Sequence, residues 1–278
     1  MYSKINNRKV QLVIFCVGAM IALVVTLFAQ TPTTEAQVKQ ELNEAARAYR
    51  EGRFADAQLH SEKALQLDPQ NKTAPFFVAR TIHAQYRPGV STPENDAKAR
   101  EAIIAYQRIL DRVPTDDEAY KAIAYLYGAL KEDELLRQWI LQRAGNVSFP
   151  NDKRAEAYIV LASKEWDCSF KITELPTHKI TTVKGTKAYV SYKMPKERAE
   201  FERATECANR GLELANMAII LTPENESAWS YKTNILLELG KLAEMSGQMR
   251  QKREFQRQYE EALKETTRLS KSSPDSPN

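Results

Sequence analysis

Histidine, cysteine and glycine are all scarce: three, three and nine in 278 residues. The histidines are His60, His83 and His178. None has a metal-type ligand three or four residues further on, so no zinc site is expected. There is no glycine-rich phosphate loop, no His-Glu-x-x-His and no Gly-x-Ser-x-Gly. These absences remove the common signatures of nucleotide, metallopeptidase and serine-hydrolase chemistry, and no cofactor is expected. A strong charge of one sign is missing too. Three of the 40 basic residues (Lys4, Arg8 and Lys9) lie in residues 1–30, where no acid occurs, and the other 37 face 36 acids. A nearly neutral remainder lacks the footprint of a nucleic-acid binder.

What is present begins with an uncharged run over residues 11–29. A helix crossing a bilayer needs about 20 apolar residues, and the basic residues before this run should stay cytoplasmic. The run therefore predicts an uncleaved signal anchor with the remainder in the periplasm. The alternative is a signal peptide cut after Ala29, leaving a secreted periplasmic protein. Leu27 makes a poor small-x-small site for that cut. Cys16 comes after Phe15 in mid-run, unlike a lipoprotein cysteine.

The stretch Glu51-Gly-Arg-Phe-Ala-Asp-Ala-Gln-Leu-His-Ser-Glu-Lys-Ala-Leu-Gln-Leu-Asp-Pro69 organises the rest of the chain. Gly52 suits a left-handed helix end, and Phe54 can plug the joint after it. Ala57 and Ala64 share a face that lets a second helix approach, Leu65 and Leu67 extend it, and Pro69 stops the helix. This pattern resembles the tetratricopeptide repeat (TPR), including its closing Ala-Leu-x-Leu-Asp-Pro. The resemblance implies an all-α, TPR-like α-solenoid of about five helical hairpins, to which the residues themselves add one inserted β-hairpin and the N-terminal transmembrane or signal helix. It covers residues 38–269, after a 31–37 linker and before a disordered 270–278 tail. First helices recur at Thr73–Ile82, Asp116–Tyr127, Ala155–Trp166 and Glu226–Leu237. The fifth unit should turn near Gly240, and a final helix should turn Met249, Phe255, Tyr259, Ala262 and Leu263 inward. Asn71, Asn146 and Asn225 begin Asn-x-Ser/Thr triplets and read as helix caps.

Two loops break the period. One is Tyr86–Asp96. The other is an insertion over residues 168–196, in which β-branched and aromatic residues flank Lys184-Gly185 as in a two-stranded hairpin. Cys168 and Cys207 flank the insertion. An oxidising compartment permits a disulfide between them; two free, buried thiols are the alternative. The Lys164, Glu165, Asp167 and Cys168 cluster reads as a helix end of mixed charge. A nucleophilic Cys168 would need a base, for which His178 is the nearest candidate.

The family binds extended or helical segments on the surface made by successive first helices. Carried onto this sequence, that implies Phe76, Arg80 and His83, then Lys121 and Tyr125, then Ile159, Ser163 and Trp166. Another protein or a peptide segment is the expected partner. The Lys/Asn pattern with which chaperone-binding TPRs clamp a terminal carboxylate is not matched. A membrane-targeting N-terminus, Glu-Trp-Asp-Cys and a long insertion together resemble uncharacterised bacterial envelope TPR proteins. The expectation is a non-enzymatic, membrane-tethered extracytoplasmic scaffold. The alternatives are an enzyme or accessory domain with its site in the insertion, and a structural subunit of an envelope complex.

Overall fold

The computed structural model describes residues 33–272. The apolar run 11–29 and the tail from residue 273 lie outside the described residues. Among the described residues are ten α-helices and one two-stranded sheet, and no helix is long and apolar enough to cross a membrane. The chain divides into two compact units, one ending at Leu130 and the other starting at Lys131.

The first unit holds α1 (Thr34–Arg50), α2 (Phe54–Leu67), α3 (Ala74–His83), α4 (Pro93–Arg112) and α5 (Asp117–Ala129). Consecutive helices pack on one another, and α3 also meets α1. The Thr33 hydroxyl accepts from Ala36 N at 3.3 Å, so α1 starts inside the stretch read as a linker. Gly52 turns the chain with φ +73°, where a residue without Cβ is cheapest. Ala57, Ser61 and Ala64 are the buried stripe of α2. Leu67 stands off that stripe and is 39% exposed, contrary to its expected place on the apolar face. Asn71 Oδ1 accepts from Ala74 N at 2.9 Å and Asp116 Oδ1 from Ala119 N at 2.8 Å, which starts α3 and α5.

The second unit holds α6 (Asp133–Gly145), α7 (Asn151–Thr173), β1 (Lys179–Lys184), β2 (Lys187–Tyr192), α8 (Arg198–Leu221), α9 (Glu226–Met245) and α10 (Met249–Ser272). The strands pair antiparallel, Lys179 opposite Tyr192 and Lys184 opposite Lys187. Gly185 takes φ +62° in the two-residue turn, as the first position of a type II′ turn requires. The core joins Ala162 of α7, Ala204, Ala208 and Ala215 of α8, Ile235, Leu236 and Leu239 of α9, and Ala262 of α10. Asn225 Oδ1 caps α9 at Ala228 N, 3.1 Å. Asn146 instead closes the end of α6, its side chain accepting from Ser148 N at 2.9 Å.

Three expectations at this end need correction. The chain does not turn at Gly240: α9 continues because Leu239, Leu242, Ala243 and Met245 keep its face buried, and the turn falls at Gly247, φ +72°. Met249 and Leu263 are 48% and 41% exposed rather than inward. The inner stripe of α10 is narrower, with Phe255, Tyr259 and Ala262 against the core and Leu269 buried. Finally, α10 runs three residues into the expected tail, to Ser272.

Candidate functional site

In the first unit, α3, α4 and α5 shape an open groove of about 610 Å³ lined by Arg80, His83, Tyr106, Asp117, Glu118, Lys121 and Ala122. Arg80 and His83 are three residues apart on α3 and therefore share a face. The Arg80 guanidinium lies over the Tyr49 ring of α1, 5.8 Å from its centroid. His83 stands between two tyrosines. Its Nδ1 is 3.3 Å from the Tyr106 hydroxyl, and the Tyr106 ring meets it edge-on at 5.9 Å. The Tyr125 ring of α5 is 5.7 Å from it on a tilted approach.

The electrostatics are mixed. Burial lowers the His83 pKa, favouring the neutral ring at neutral pH. Burial, aided by the Glu118 carboxylate, pushes the Tyr106 hydroxyl up to about 12, although Arg80 pulls it down. Lys121 pairs with Asp117 at 2.8 Å, one turn before it on α5. The groove thus offers a neutral imidazole, tyrosine hydroxyls and rings, and cations next to acids. That set can hold a chain segment by hydrogen bonds and ring contacts.

The eight residues carried over from the family divide between the units. Arg80, His83 and Lys121 line the groove, and Tyr125, 51% exposed, joins it through His83. Phe76 is half-buried on α3, one turn before Arg80. Ile159, Ser163 and Trp166 belong to α7 in the second unit. Ile159 packs against Ala155, Ala218 and Ala228. The Ser163 hydroxyl donates to Val160 O at 2.8 Å within its own helix. Trp166 leans on the core, 5.0 Å from Phe170 and 6.3 Å from Tyr231, ring to ring. The set carried over from the family leaves out Tyr49, Tyr106, Asp117 and Glu118. Tyr106 is buried on the apolar face of α4, yet it also presents its hydroxyl to His83. Its spacing from Ala102 and Ile109 signals core; nothing in the spacing signals the hydroxyl's second duty.

The second unit has its own polar interior at the root of the insertion. Lys241, 7% exposed, donates to Glu238 at 2.6 Å and to Glu174 at 2.8 Å. Its ammonium lies 5.4 Å from the Phe170 ring and 5.3 Å from the Tyr192 ring. Thr173 donates to Glu238, and Lys179 to Glu174. Burial pushes Glu174 up, but Lys179, Lys241 and the Tyr192 hydroxyl outweigh it and hold the carboxyl at about 2. Burial pushes Lys241 down, and its two carboxylates more than reverse that. Nearby, Glu165 is 6% exposed and receives Arg137 at 2.6 Å and Arg210 at 3.0 Å. A disulfide joins Cys168 of α7 to Cys207 of α8, with Cα atoms 6.0 Å apart. His178 is spent on Ile172 O, 2.7 Å from its Nδ1. Among the described residues no three His, Cys, Asp or Glu side chains gather as a metal site would need.

No family model and no curated protein matches the chain. Among solved structures, it is 13% identical to MamA, residues 41 to the end, from Desulfovibrio magneticus RS-1. That alignment covers 86% of this chain and 98% of that one, with a TM-score of 0.42. A tetratricopeptide repeat protein from Parabacteroides merdae ATCC 43184 is 12% identical over 86% of this chain and 94% of that one, TM-score 0.35. The TPR2AB-domain:pHSP90-complex of yeast Sti1 is 12% identical over 83% and 98%, TM-score 0.30. With TM-scores this low, what connects the chain to that group is its own repeat signature at 51–69 and the helices paired around it: the chain resembles tetratricopeptide-repeat proteins.

Proposed function

We propose that this chain is a protein-interaction scaffold whose first unit holds a segment of another protein in the groove of Arg80, His83, Lys121 and Tyr125. The observation that carries this reading is the convergence of α3 and α5 side chains, expected from their equivalent places in successive repeats, on one open groove. Tyrosine and arginine are frequent hot-spot residues, and here Tyr125 is half exposed rather than spent on the core. Partner capture from cross-linked membranes, compared between the native chain and the R80A/Y125A variant, tests it. A hot spot costs about 2 kcal/mol or more on truncation, so the variant should lose most of the captured partner while keeping its helix content and melting temperature. Equal capture rejects the groove. A large fall in melting temperature would mark the two residues as core.

The same proposal tethers the scaffold to the membrane through residues 11–29, with the repeats in the periplasm. The uncharged run after Lys4, Arg8 and Lys9 supports it. Sequencing the N-terminus of the mature protein tests it: a start at Gln30 or Thr31 would remove the tether.

A further inference from the structure

The hairpin of the insertion is the least covered element among the described residues. From Ile180 to Ser191 every residue is exposed or only half-buried, with Val183 68%, Tyr189 51% and Ile180 47% exposed. A lone two-stranded hairpin is marginal in water. This one is secured at its root, where Tyr192 and Lys179 meet Glu174. It is also one-sided in charge. From Leu175 to Lys196 there are five lysines and no acid. Lys184 and Lys187 are directly opposed across the ladder, and like charges so placed repel. Neither has a carboxylate partner among the described residues.

The ladder also fixes which backbone groups are open. Lys193 N donates to His178 O at 3.0 Å. With the observed register, the hydrogen-bonded pairs are then 180 with 191, 182 with 189, and 184 with 187. The N–H and C=O groups of Thr181 and Val183 therefore face outward on the β1 edge. The β2 edge differs at its root, where it meets α9 and Tyr192 N is taken by Glu244 at 3.1 Å.

We infer that the β1 edge is a second docking site, separate from the groove of the first unit, which takes an extended acidic segment of another protein as an added strand. Ile180 and Lys184 stand on one face of β1, four residues apart. A strand laid along β1 would place an apolar side chain beside Ile180 and a carboxylate beside Lys184, while its backbone pairs with Thr181 and Val183. The carboxylate would also relieve the Lys184–Lys187 repulsion. A bilayer fits this element less well, because open strand edges do not enter hydrocarbon.

The test uses the full chain and a blocked, dye-labelled octapeptide of threonines carrying one valine and, four residues later, a glutamate. A second octapeptide has lysine in place of that glutamate. Fluorescence anisotropy should show the acidic peptide binding the native chain, more weakly as salt rises. The K184E/K187E variant should lose at least about tenfold in affinity for it and take up the lysine peptide instead. T181P removes one outward N–H and should also weaken binding, with helix content unchanged. R80A/Y125A should bind as the native chain does, which separates this site from the groove. No binding by the native chain, equal binding by K184E/K187E, native binding by T181P, or loss in R80A/Y125A would each overturn the inference. So would uptake of anionic phospholipid vesicles in place of the peptide.

Discussion

Glu174 shows how one carboxylate anchors an inserted element. It receives two ammoniums, Lys179 from β1 and Lys241 from α9, and the hydroxyl of Tyr192 from β2. Its pKa is about 2 when folded against an ordinary 4.5. Because the folded value is depressed, the unfolded chain binds more protons between the two values. The stabilisation from Glu174 is complete above pH 4.5 and is lost as pH falls toward 2. Replacing it with glutamine should therefore lower the melting temperature at neutral pH, and the gap from the native protein should close on acidification. A gap that stays constant to low pH would show that the ion pairs contribute nothing. His83 moves in the same direction: burial lowers it, so any stability tied to its neutral form is present above 6.5 and fades in acid.

Among the elements, packing of small residues sets how closely α7, α8 and α9 approach. Gly211 of α8 is a close approach: a Cβ there would sit 3.0 Å from Ile235 Cδ1 and 3.3 Å from Glu165 Cβ. Gly211→Ala sets an overpacking cost of about 1–3 kcal/mol against the roughly 1 kcal/mol that alanine gains over glycine inside a helix; a net lowering of the urea midpoint is expected, and a raised midpoint would mean that Ile235 yields freely. Such elements were largely legible beforehand. Ala57, Ala64 and Pro69 located α2; β-branched residues around Lys184-Gly185 located the hairpin; and Asn225 marked the start of α9. The misses have physical causes. Gly240 looks like a turn residue, but a helix tolerates one glycine when Leu239 and Leu242 on either side are buried. Glu238 and Lys241 are spaced like a solvated pair on a helix surface, and only the neighbouring Thr173 and Glu174 show that they are interior.

For the whole molecule, the repeat signature at 51–69 supports the proposed reading as a binding scaffold. It orders the candidate residues less well, because spacing along repeats says nothing about which compact unit a helix joins. Arg80, His83 and Lys121 share one groove, whereas Ile159 and Trp166 are taken up by packing in the second unit. The central claim is that a partner lies in the first unit's groove. Its most direct measurement is site-specific photo-crosslinking in membranes, with a photoreactive residue at Lys121 in the groove or at Ile104, which is 51% exposed on α4 and outside the groove lining. One discrete partner adduct is expected from position 121 and little from position 104; equal adducts from both positions, or adducts from 104 alone, would contradict the claim.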